Sequence, residues 1–262
     1  MTVSVVMPAW NEAEGIGVFI RELNESLLLW TPRFVVVDDC STDGTAQVVR
    51  ELATRGIDIC VISNAENRGH GPSTLRALRL GQESGSQVIV AVDGDGQFRG
   101  ADVADVVQVL LLGGVDIVEG VRRDREDPAF RRIVSAATRF LVWTRVRRWP
   151  ADANTPLRAY TRKVLGNFLE RVPADAVTPN LLFSAMSRVD GLTVIEVPVT
   201  SLPRRGVSEV GNTWGTRRKS LPSRKFLAFC SKAALEWTRT PVRAQRGSHA
   251  RELSARGPSD AS

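Results

Sequence analysis

The first 120 residues alternate between short apolar runs and longer segments of helical spacing, and this alternation limits the fold more than any other feature. The apolar runs are strand candidates at Val3 to Met7, Phe34 to Val37, Ile57 to Ile62 and Val88 to Val92. Between them, apolar residues recur at helical spacing over residues 12–29, 44–54 and 73–84. Strands that alternate with helices predict an α/β fold with a mostly parallel central sheet and flanking helices.

The second half of the chain has a different pattern, rich in arginine. A helix over 103–112 and a strand over 116–119 are expected to complete the alternating part. Phe130 to Trp149 predicts a basic amphipathic helix, because apolar residues and arginines interleave there. Further helices are expected over 163–171 and 180–189, a strand over 192–199, and a second amphipathic helix over 223–239. Residues 240–262 lack apolar periodicity, which is typical of a disordered tail.

The charge balance favours anionic partners. The chain has 35 Lys and Arg residues against 29 Asp and Glu, for a net charge of +6, and only four of the basic residues are lysines. Phosphorylated substrates, an anionic membrane surface and nucleic acid all suit such a charge. The arginine-rich half lacks the stacking platform or groove-reading motif of a nucleic-acid-binding module, so no nucleic-acid partner is expected.

Signals for export or membrane spanning are not found in the sequence. No apolar run reaches the roughly 18 residues that cross a bilayer, and Met1 leads directly into a strand candidate without a basic leader. The three cysteines, Cys40, Cys60 and Cys230, have neither disulfide-framework nor metal-ligand spacing. These observations predict a cytoplasmic protein with reduced thiols.

The strand candidate Val88 to Val92 ends in the turn Asp93-Gly-Asp-Gly-Gln97. In open α/β sheets, ligands bind at the carboxyl ends of the strands. Asp93, Asp95 and Gln97 offer the hard oxygen ligands that Mg²⁺ or Mn²⁺ accepts together with substrate phosphates. Aspartate and glycine also form solvated turns, so this segment alone fits both interpretations.

Polar segments follow the other strand candidates, at the same predicted edge of the sheet. Pro8-Ala-Trp-Asn-Glu12 follows the first strand, and Trp10 could stack on a base. Asn67-Arg-Gly-His-Gly71 follows the third, where two glycines permit close approach of the backbone to a phosphate or sugar.

Two aspartates, Asp38 and Asp39, follow the second strand candidate. Ser41 or Thr42 is expected to cap the next helix, which would leave the two carboxylates available to a ligand. A carboxylate at this place can accept a hydrogen bond from an N–H group of a nucleobase.

Six motifs stand in order along the chain. The first four are Pro-Ala-Trp-Asn-Glu, Val-Val-Asp-Asp-Cys-Ser-Thr-Asp-Gly-Thr, Asn-Arg-Gly-His-Gly and Val-Asp-Gly-Asp-Gly-Gln. The last two are Asp152-Ala-Asn-Thr-Pro-Leu-Arg-Ala-Tyr160, and Glu196-Val-Pro-Val199 followed by Arg204-Arg-Gly-Val-Ser208. In this order the chain resembles the family 2 glycosyltransferases of GT-A fold over residues 3–215, and among them the polyprenyl-phosphate sugar synthases such as dolichyl-phosphate mannose synthase.

The resemblance implies a single GT-A, Rossmann-like domain over residues 1–215. Residues 1–120 would form its nucleotide-binding half and 121–215 its acceptor half, followed by an amphipathic helical extension over 216–239 and the tail over 240–262. The implied reaction is transfer of a sugar, with inversion, from a GDP- or UDP-sugar to a polyprenyl phosphate, assisted by Mg²⁺ or Mn²⁺.

The resemblance also implies roles for individual residues. Asp93 would face the ribose or the metal, and Asp95 and Gln97 would hold the metal. Gly94, between the two aspartates, would contact the donor, and Arg204 or Arg205 would clamp the diphosphate. Asp39 would read the base edge. The implied nucleotide pocket comprises Pro8, Ala9, Trp10, Glu12, Val37 and Asp39.

The chain departs from the family pattern at two places. Pro203 and Glu209 replace the arginine and the lysine that usually flank the loop glycine, so that Arg204 and Arg205 are alternatives for the clamp. A catalytically impaired nucleotide-sugar-binding protein is the alternative that this loop suggests. Asn154-Thr-Pro-Leu-Arg158 stands where many relatives have Ser-Gly-Phe-Arg, in the region that borders the acceptor, and so leaves the acceptor open.

Two kinds of acceptor fit the sequence. A lipid phosphate is already an anionic nucleophile, whereas a saccharide or small-molecule hydroxyl needs a base, for which Asp152 is the candidate. Asp152 equally fits a helix cap or a partner of Arg158. The basic helix over 130–149 favours the lipid, because its arginines would meet anionic headgroups at the inner face of the plasma membrane. The same helix also fits packing against its own domain.

Overall fold

The predicted alternation of strands and helices is present in the structure. The computed structural model describes residues 1–123, 129–147, 149–206 and 224–242. The strands are β1 (Val3–Ala9), β2 (Pro32–Asp38), β3 (Ile59–Ser63), β4 (Val88–Ala91), β5 (Ile117–Arg123), β6 (Arg158–Thr161) and β7 (Val194–Thr200). The helices are α1 (Ala13–Ser26), α2 (Thr45–Thr54), α3 (His70–Glu83), α4 (Gly100–Leu112), α5 (Ala129–Val146), α6 (Arg162–Arg171), α7 (Pro179–Val189) and α8 (Arg224–Arg239). The predicted tail beyond Val242 and the predicted flanking position Glu209 lie outside the described residues.

The seven strands form one sheet in the order β3-β2-β1-β4-β6-β5-β7. Neighbouring strands are parallel, except that β6 runs antiparallel to both β4 and β5. The prediction of a mostly parallel sheet is therefore confirmed. The antiparallel strand was not predicted, because four residues are too few to show a period.

Helices cover both faces of the sheet, since successive side chains of a strand point to opposite faces. Val5 and Met7 of β1 belong to the core beneath α1, α2 and α4, whereas Val6 belongs to the core beneath α3, α6 and α7. All three side chains are at most 1% exposed. This three-layer packing leaves the carboxyl ends of β1, β2 and β4 followed by loops.

The C-terminal helix α8 packs onto the domain through polar and aromatic contacts. The Glu236 carboxylate accepts hydrogen bonds from the backbone N–H groups of Val177 (2.7 Å) and Thr178 (2.9 Å), just before α7. Trp237 is 5% exposed, and the Arg145 guanidinium of α5 lies 4.6 Å from its ring centre. These contacts join α8 to both α5 and α7.

A buried charge cluster joins β5, β6, α7 and β7. Glu119 of β5 is fully buried and pairs with Arg158 of β6 (3.3 Å) and Arg188 of α7 (2.8 Å). Arg188 also pairs with Glu196 of β7 (3.0 Å). Glu119 and Glu196 together balance the charges of the two arginines where the antiparallel strand enters the sheet.

Removing that carboxylate is expected to destabilise the fold. In Glu119→Ala, Arg158 and Arg188 lose their shared buried partner, so the free energy of unfolding should fall by about 3–5 kcal/mol. Urea denaturation measures the change. Asp58→Ala is the matched control, because it removes the exposed Arg33–Asp58 pair and should cost less than about 1 kcal/mol. Equal losses in the two variants would contradict a structural role for the cluster.

Candidate functional site

The candidate site lies at the carboxyl edge of the sheet. β1, β2 and β4 run parallel, so the segments that follow Ala9, Asp38 and Ala91 emerge at this edge. Because β6 runs the other way, the segment that precedes Arg158 lies at the same edge. The topology thus brings together the segments that carry most of the predicted site residues.

The turn after β4 is shaped by two glycines. The Gly94 backbone N–H donates to the Pro8 carbonyl (3.2 Å), and a Cβ at Gly94 would lie 3.0 Å from that oxygen. Gly96 has φ +68°, and a Cβ there would lie 2.6 Å from the Arg205 side chain. Only glycine fits both positions without displacing a neighbour, so the backbone path fixes where Asp93 and Asp95 stand.

The segment 201–206 is hydrogen-bonded onto this turn. The Leu202 N–H donates to the Gln97 carbonyl (2.8 Å), the Gln97 side-chain amide donates to the Leu202 carbonyl (3.1 Å), and the Arg205 N–H donates to the Asp95 carbonyl (3.0 Å). A Cβ at Gly15 would lie 1.9 Å from the Arg205 carbonyl oxygen, so the segment also contacts the start of α1. Gln97 therefore holds the loop in this state, and its role as a metal ligand stays a prediction.

Arg204 and Arg205 have different surroundings. The Arg205 guanidinium pairs with Glu22 (2.6 Å), donates to the Gly96 carbonyl (3.0 Å) and lies 5.2 Å from the ring centre of Phe19. Arg204 instead pairs with Glu12 and has its Nε 3.6 Å from Asp95 Oδ2. Arg205 anchors the loop, whereas Arg204 carries its charge into the carboxylate cluster.

Burial and mutual repulsion perturb two carboxylates of the site. Burial and the nearby Asp93 charge raise the pKa of Asp95 to about 6, against the lowering effect of Arg204. Burial also raises the pKa of Glu12 to about 7, against the lowering effect of Arg204. Carboxylates held together in this way favour a cation between or beside them.

The donor set suits a divalent ion that is shared with a ligand. In the described residues, no three His, Cys, Asp or Glu side chains are grouped so as to hold a metal ion. Mg²⁺ sites commonly use one or two carboxylates and complete the shell with water and substrate phosphates. Asp93 and Asp95, adjacent and repelling each other, fit that arrangement.

His70, at the start of α3, was not singled out from the sequence. Its Nε2 lies 3.2 Å from Asp93 Oδ1, and its Nδ1 lies 2.9 Å from Thr74 Oγ1. His70 stands between the two glycines of Asn67-Arg-Gly-His-Gly71, a segment that follows a predicted strand. That position could have indicated it as a site residue. Its contact orients the Asp93 carboxylate.

The predicted nucleotide pocket is formed by the loops that follow β1 and β2, which are hydrogen-bonded to each other. Asp43, rather than Ser41 or Thr42, accepts from the Thr45 N–H (3.0 Å) at the start of α2. Ser41 Oγ instead accepts from the Asn11 N–H (2.9 Å). The expected cap was wrong because the Ser41 side chain and the Thr42 backbone N–H both bond to Asn11 of the neighbouring loop.

The predicted pocket residues differ in how far a ligand can reach them. Pro8 and Trp10 are half-buried, whereas Ala9 and Asp39 are each 3% exposed. Val37 is fully buried in the core, so its side chain supports the pocket from below and only its backbone could touch a ligand.

Asp152 is engaged by an arginine that the sequence did not single out. Its Oδ2 lies 2.9 Å from both Nε and Nη2 of Arg122, and its Oδ1 accepts from the Asn154 N–H (3.2 Å). Arg158, the expected partner, pairs with Glu119 instead and donates to the carbonyls of Ala153 and Thr155 (3.0 and 3.2 Å). Arg122 follows a predicted strand, and that position could have indicated it as a partner for Asp152.

Asp95→Asn is expected to stabilise the ligand-free protein, and to do so only at neutral pH. The folded-state pKa is raised above the unfolded value of 3.8, so the native state holds a proton that the unfolded chain releases. Stability is therefore lost as the pH rises from about 4 to about 6, and the loss is complete above that range, at roughly 2–3 kcal/mol.

The melting temperature measured from pH 4 to pH 8 tests this expectation. Asp95→Asn should melt several degrees above the native protein at pH 7.5 and match it near pH 4. Asp58→Asn, at an exposed pair, should show no such divergence. A shift of equal size at every pH would contradict the raised pKa.

Comparison with known families identifies one match over most of the chain. Residues 4–168 match the model described as glycosyl transferase family 2. The chain is 27% identical over 194 residues to the undecaprenyl-phosphate 4-deoxy-4-formamido-L-arabinose transferase of Yersinia enterocolitica, covering 73% of this chain and 58% of the relative. It is 22% identical over 215 residues to the UDP-N-acetylglucosamine--dolichyl-phosphate N-acetylglucosaminyltransferase of Methanococcus voltae, covering 76% and 84%. The chain thus spans little more than half of the first relative.

Two solved structures share the fold. The glucosyl-3-phosphoglycerate synthase of Mycobacterium tuberculosis, in complex with Mn²⁺, UDP-glucose and phosphoglyceric acid, has a TM-score of 0.61 at 20% identity, covering 90% of this chain and 78% of the other. The mannosyltransferase PcManGT of Pyrobaculum calidifontis, in complex with GDP-Man and Mn²⁺, has a TM-score of 0.52 at 22% identity, covering 89% and 61%. At these identities the likeness establishes the architecture alone.

Proposed function

The chain belongs to glycosyl transferase family 2 and is a glycosyltransferase of GT-A fold, and we propose that it transfers a sugar from a nucleotide diphosphate to a polyprenyl phosphate. The two curated relatives, which carry undecaprenyl-phosphate and dolichyl-phosphate in their names, support a lipid acceptor. Inversion at the sugar is part of the proposal. The contacts at the carboxyl edge of the sheet support the proposed roles of individual residues.

The donor diphosphate is proposed to bind beside Asp93 and Asp95, with Mg²⁺ or Mn²⁺. A bound divalent ion supplies positive charge to the diphosphate as the bond to the sugar breaks. Asp93 and Asp95 would hold the ion, since their repulsion already favours a cation there. His70 would keep the Asp93 carboxylate oriented through its 3.2 Å contact.

Arg204 is proposed as the diphosphate clamp and Arg205 as the residue that holds the clamp in place. The Arg205 side chain is occupied by Glu22 and by the Gly96 carbonyl, which leaves Arg204 as the guanidinium directed toward the site. A guanidinium offers two parallel N–H groups to a phosphate. The diphosphate would take Arg204 over from Glu12 and Asp95.

The occupation of Asp152 is the observation that most favours a phosphate acceptor. Both oxygens of this carboxylate already accept hydrogen bonds, from Arg122 and from the Asn154 backbone. A general base must reach the proton that it removes, and the contacts with Arg122 and Asn154 leave a hydroxyl acceptor only one acceptor position, on Oδ1. A lipid phosphate needs no base, because its oxygen attacks as an anion.

Transfer assays with purified protein test the acceptor. Labelled nucleotide sugars with Mn²⁺ are offered undecaprenyl phosphate in detergent or a panel of soluble saccharides, and the label should appear in the lipid fraction. Asp152→Asn should keep at least about a tenth of the native rate, because loss of a general base typically costs a hundredfold or more. Label found only in soluble product, together with an inactive Asp152→Asn, would show a hydroxyl acceptor.

Two further variants connect the same assay to the donor site. Asp95→Ala and Arg204→Ala should lower transfer at least about a hundredfold, since each removes charge stabilisation of the leaving diphosphate. Arg33→Ala, which removes an arginine exposed at the start of β2, should leave transfer unchanged. Native activity in Arg204→Ala would overturn its assignment as the clamp.

The surface of α5 is proposed to contact an anionic membrane at the cytoplasmic side. Phe140 and Trp149 are 51% and 50% exposed, and both ring centres lie within 6.4 Å of the Trp143 ring centre. Arg139 lies 5.2 Å from the ring of Trp149, and Arg147 lies 5.0 Å from that of Trp143. Exposed aromatic rings with arginines around them suit the headgroup region of a bilayer. No helix in the described ranges is long and apolar enough to cross one.

Flotation with vesicles tests this contact. Phe140→Ala combined with Trp149→Ala should weaken binding to phosphatidylglycerol vesicles about tenfold or more, because two large apolar side chains are lost from the interface. Leu29→Ser is the matched control, since Leu29 is 86% exposed and lies after α1. Equal weakening in both proteins, or equal binding to neutral vesicles, would contradict the assignment.

A further inference from the structure

The hydrogen bonds of Asp39 indicate which base the donor carries. This inference rests on the proposed function and its nucleotide pocket. Asp39 follows β2 directly, and its backbone N–H donates to the Ala9 carbonyl (2.8 Å) beside Trp10. Within the described ranges, its carboxylate accepts three hydrogen bonds from the protein. Oδ1 accepts from Asn64 Nδ2 (2.7 Å) and the Arg68 N–H (2.8 Å), and Oδ2 accepts from the Gly69 N–H (2.8 Å).

The orientation of the Asn64 amide is fixed by its other partners. Arg76 donates to Asn64 Oδ1, and an arginine can only donate, so the amide oxygen must face Arg76. The amide nitrogen then faces Asp39 and also donates to Ser73 Oγ (2.9 Å). Asn64 is 5% exposed, so this arrangement is shielded from water. Asn64 is therefore a fixed donor to Asp39.

Counting acceptor positions shows what a ligand can still use. Each carboxylate oxygen has two lone pairs, so a carboxylate accepts about four hydrogen bonds. Oδ1 of Asp39 is filled by two donors, and Oδ2 has one position left. Only 3% of Asp39 is exposed, which suits a contact with one N–H group rather than with a pair.

The common bases differ in the donors that they present to a carboxylate. Uracil presents a single N–H group, at N3, between two carbonyls. Guanine presents two adjacent donors, at N1 and at the amino group, which pair with both oxygens of a free carboxylate. Against Asp39, one of the two guanine donors would be left without a partner. A buried donor without a partner is costly.

We propose that the donor is a uridine diphosphate sugar, and that Asn64 sets this preference by filling Oδ1 of Asp39. Asn64 acts as a positioning residue, and Arg76 fixes the direction of its amide. The solved structures of similar fold hold either UDP-glucose or GDP-Man, so the likeness does not choose between the bases. The choice rests on the occupied lone pairs.

Calorimetric titration of the full-length protein with UDP, GDP and N3-methyl-UDP, each with Mn²⁺, tests the proposal. UDP should bind at least about tenfold more tightly than GDP, which is the effect of one unpaired donor. N3-methyl-UDP, which lacks the single donor, should lose a similar factor. Equal or tighter binding of GDP, or full binding of N3-methyl-UDP, would overturn the proposal.

Asn64→Leu tests the role of the positioning residue. It empties one position on Oδ1, so GDP should gain affinity relative to UDP and the ratio of the two dissociation constants should move toward one. Asn67→Ala is the matched control, because its amide donates to the backbone carbonyl of Asp39 (3.3 Å) and not to the carboxylate. That variant should keep the native ratio. If Asn64→Leu folds and keeps the native ratio, Asn64 does not set the preference.

The same titrations separate this inference from the proposed function. Binding of GDP in preference to UDP leaves a nucleotide-sugar transferase in place and overturns only the assignment of the base. Failure of both nucleotides to bind would overturn the proposed donor, and the assignment of the base with it.

Discussion

The repulsion between Asp93 and Asp95 at the end of a buried strand is the constraint on which the site depends. A short turn with two glycines holds the two carboxylates close together, and burial raises the pKa of Asp95 to about 6. The surrounding groups lower that cost: Arg204 approaches Asp95 and Glu12, and His70 contacts Asp93. The ligand-free site is thus a cluster of negative charge only partly balanced by the protein itself. That imbalance favours the binding of a cation.

The half of the sheet that contains β5, β6 and β7 holds a separate cluster of buried charges. The side chains of Glu119, Arg158 and Arg188 are shielded from water and are charge-balanced together with Glu196, and Arg158 also donates to two carbonyls of the segment before β6. Buried ion pairs add little net stability compared with apolar packing, so their contribution here is to geometry. They fix the path of the loop that carries Asp152 at the carboxyl edge of the sheet.

The sequence predicted those parts of the structure that depend on local pattern. Regular strands and helices of the first half appear where periodicity placed them, and Asp93 and Asp95 were found because an apolar run ended in a polar turn. Strand β6 was not found, because four residues that include a buried arginine show no local pattern. Its arginine is explained only by Glu119, a distant residue on a neighbouring strand.

Contacts between distant segments account for what the sequence left undecided at the site. Arg204 and Arg205 are adjacent and chemically identical, and they are distinguished by the packing of Arg205 against Phe19 and Glu22 and by the contacts of Arg204 with Glu12 and Asp95. Asn64 and His70 gain their roles from Asp39 and Asp93, each of which follows a different strand. Such pairings depend on the fold as a whole.

Because β6 runs in the reversed direction, the loops at the carboxyl edge of the sheet come from two separate parts of the chain. The loops that follow β1, β2 and β4 belong to the half of the sheet that ends at β4, whereas the loop that enters β6 arrives from the other half. Insertions or deletions before Arg158 would therefore reshape the space at this edge of the sheet without moving strands β1 and β2. A scaffold of this kind lets related proteins diverge in the molecule that they modify while they inherit the same donor chemistry.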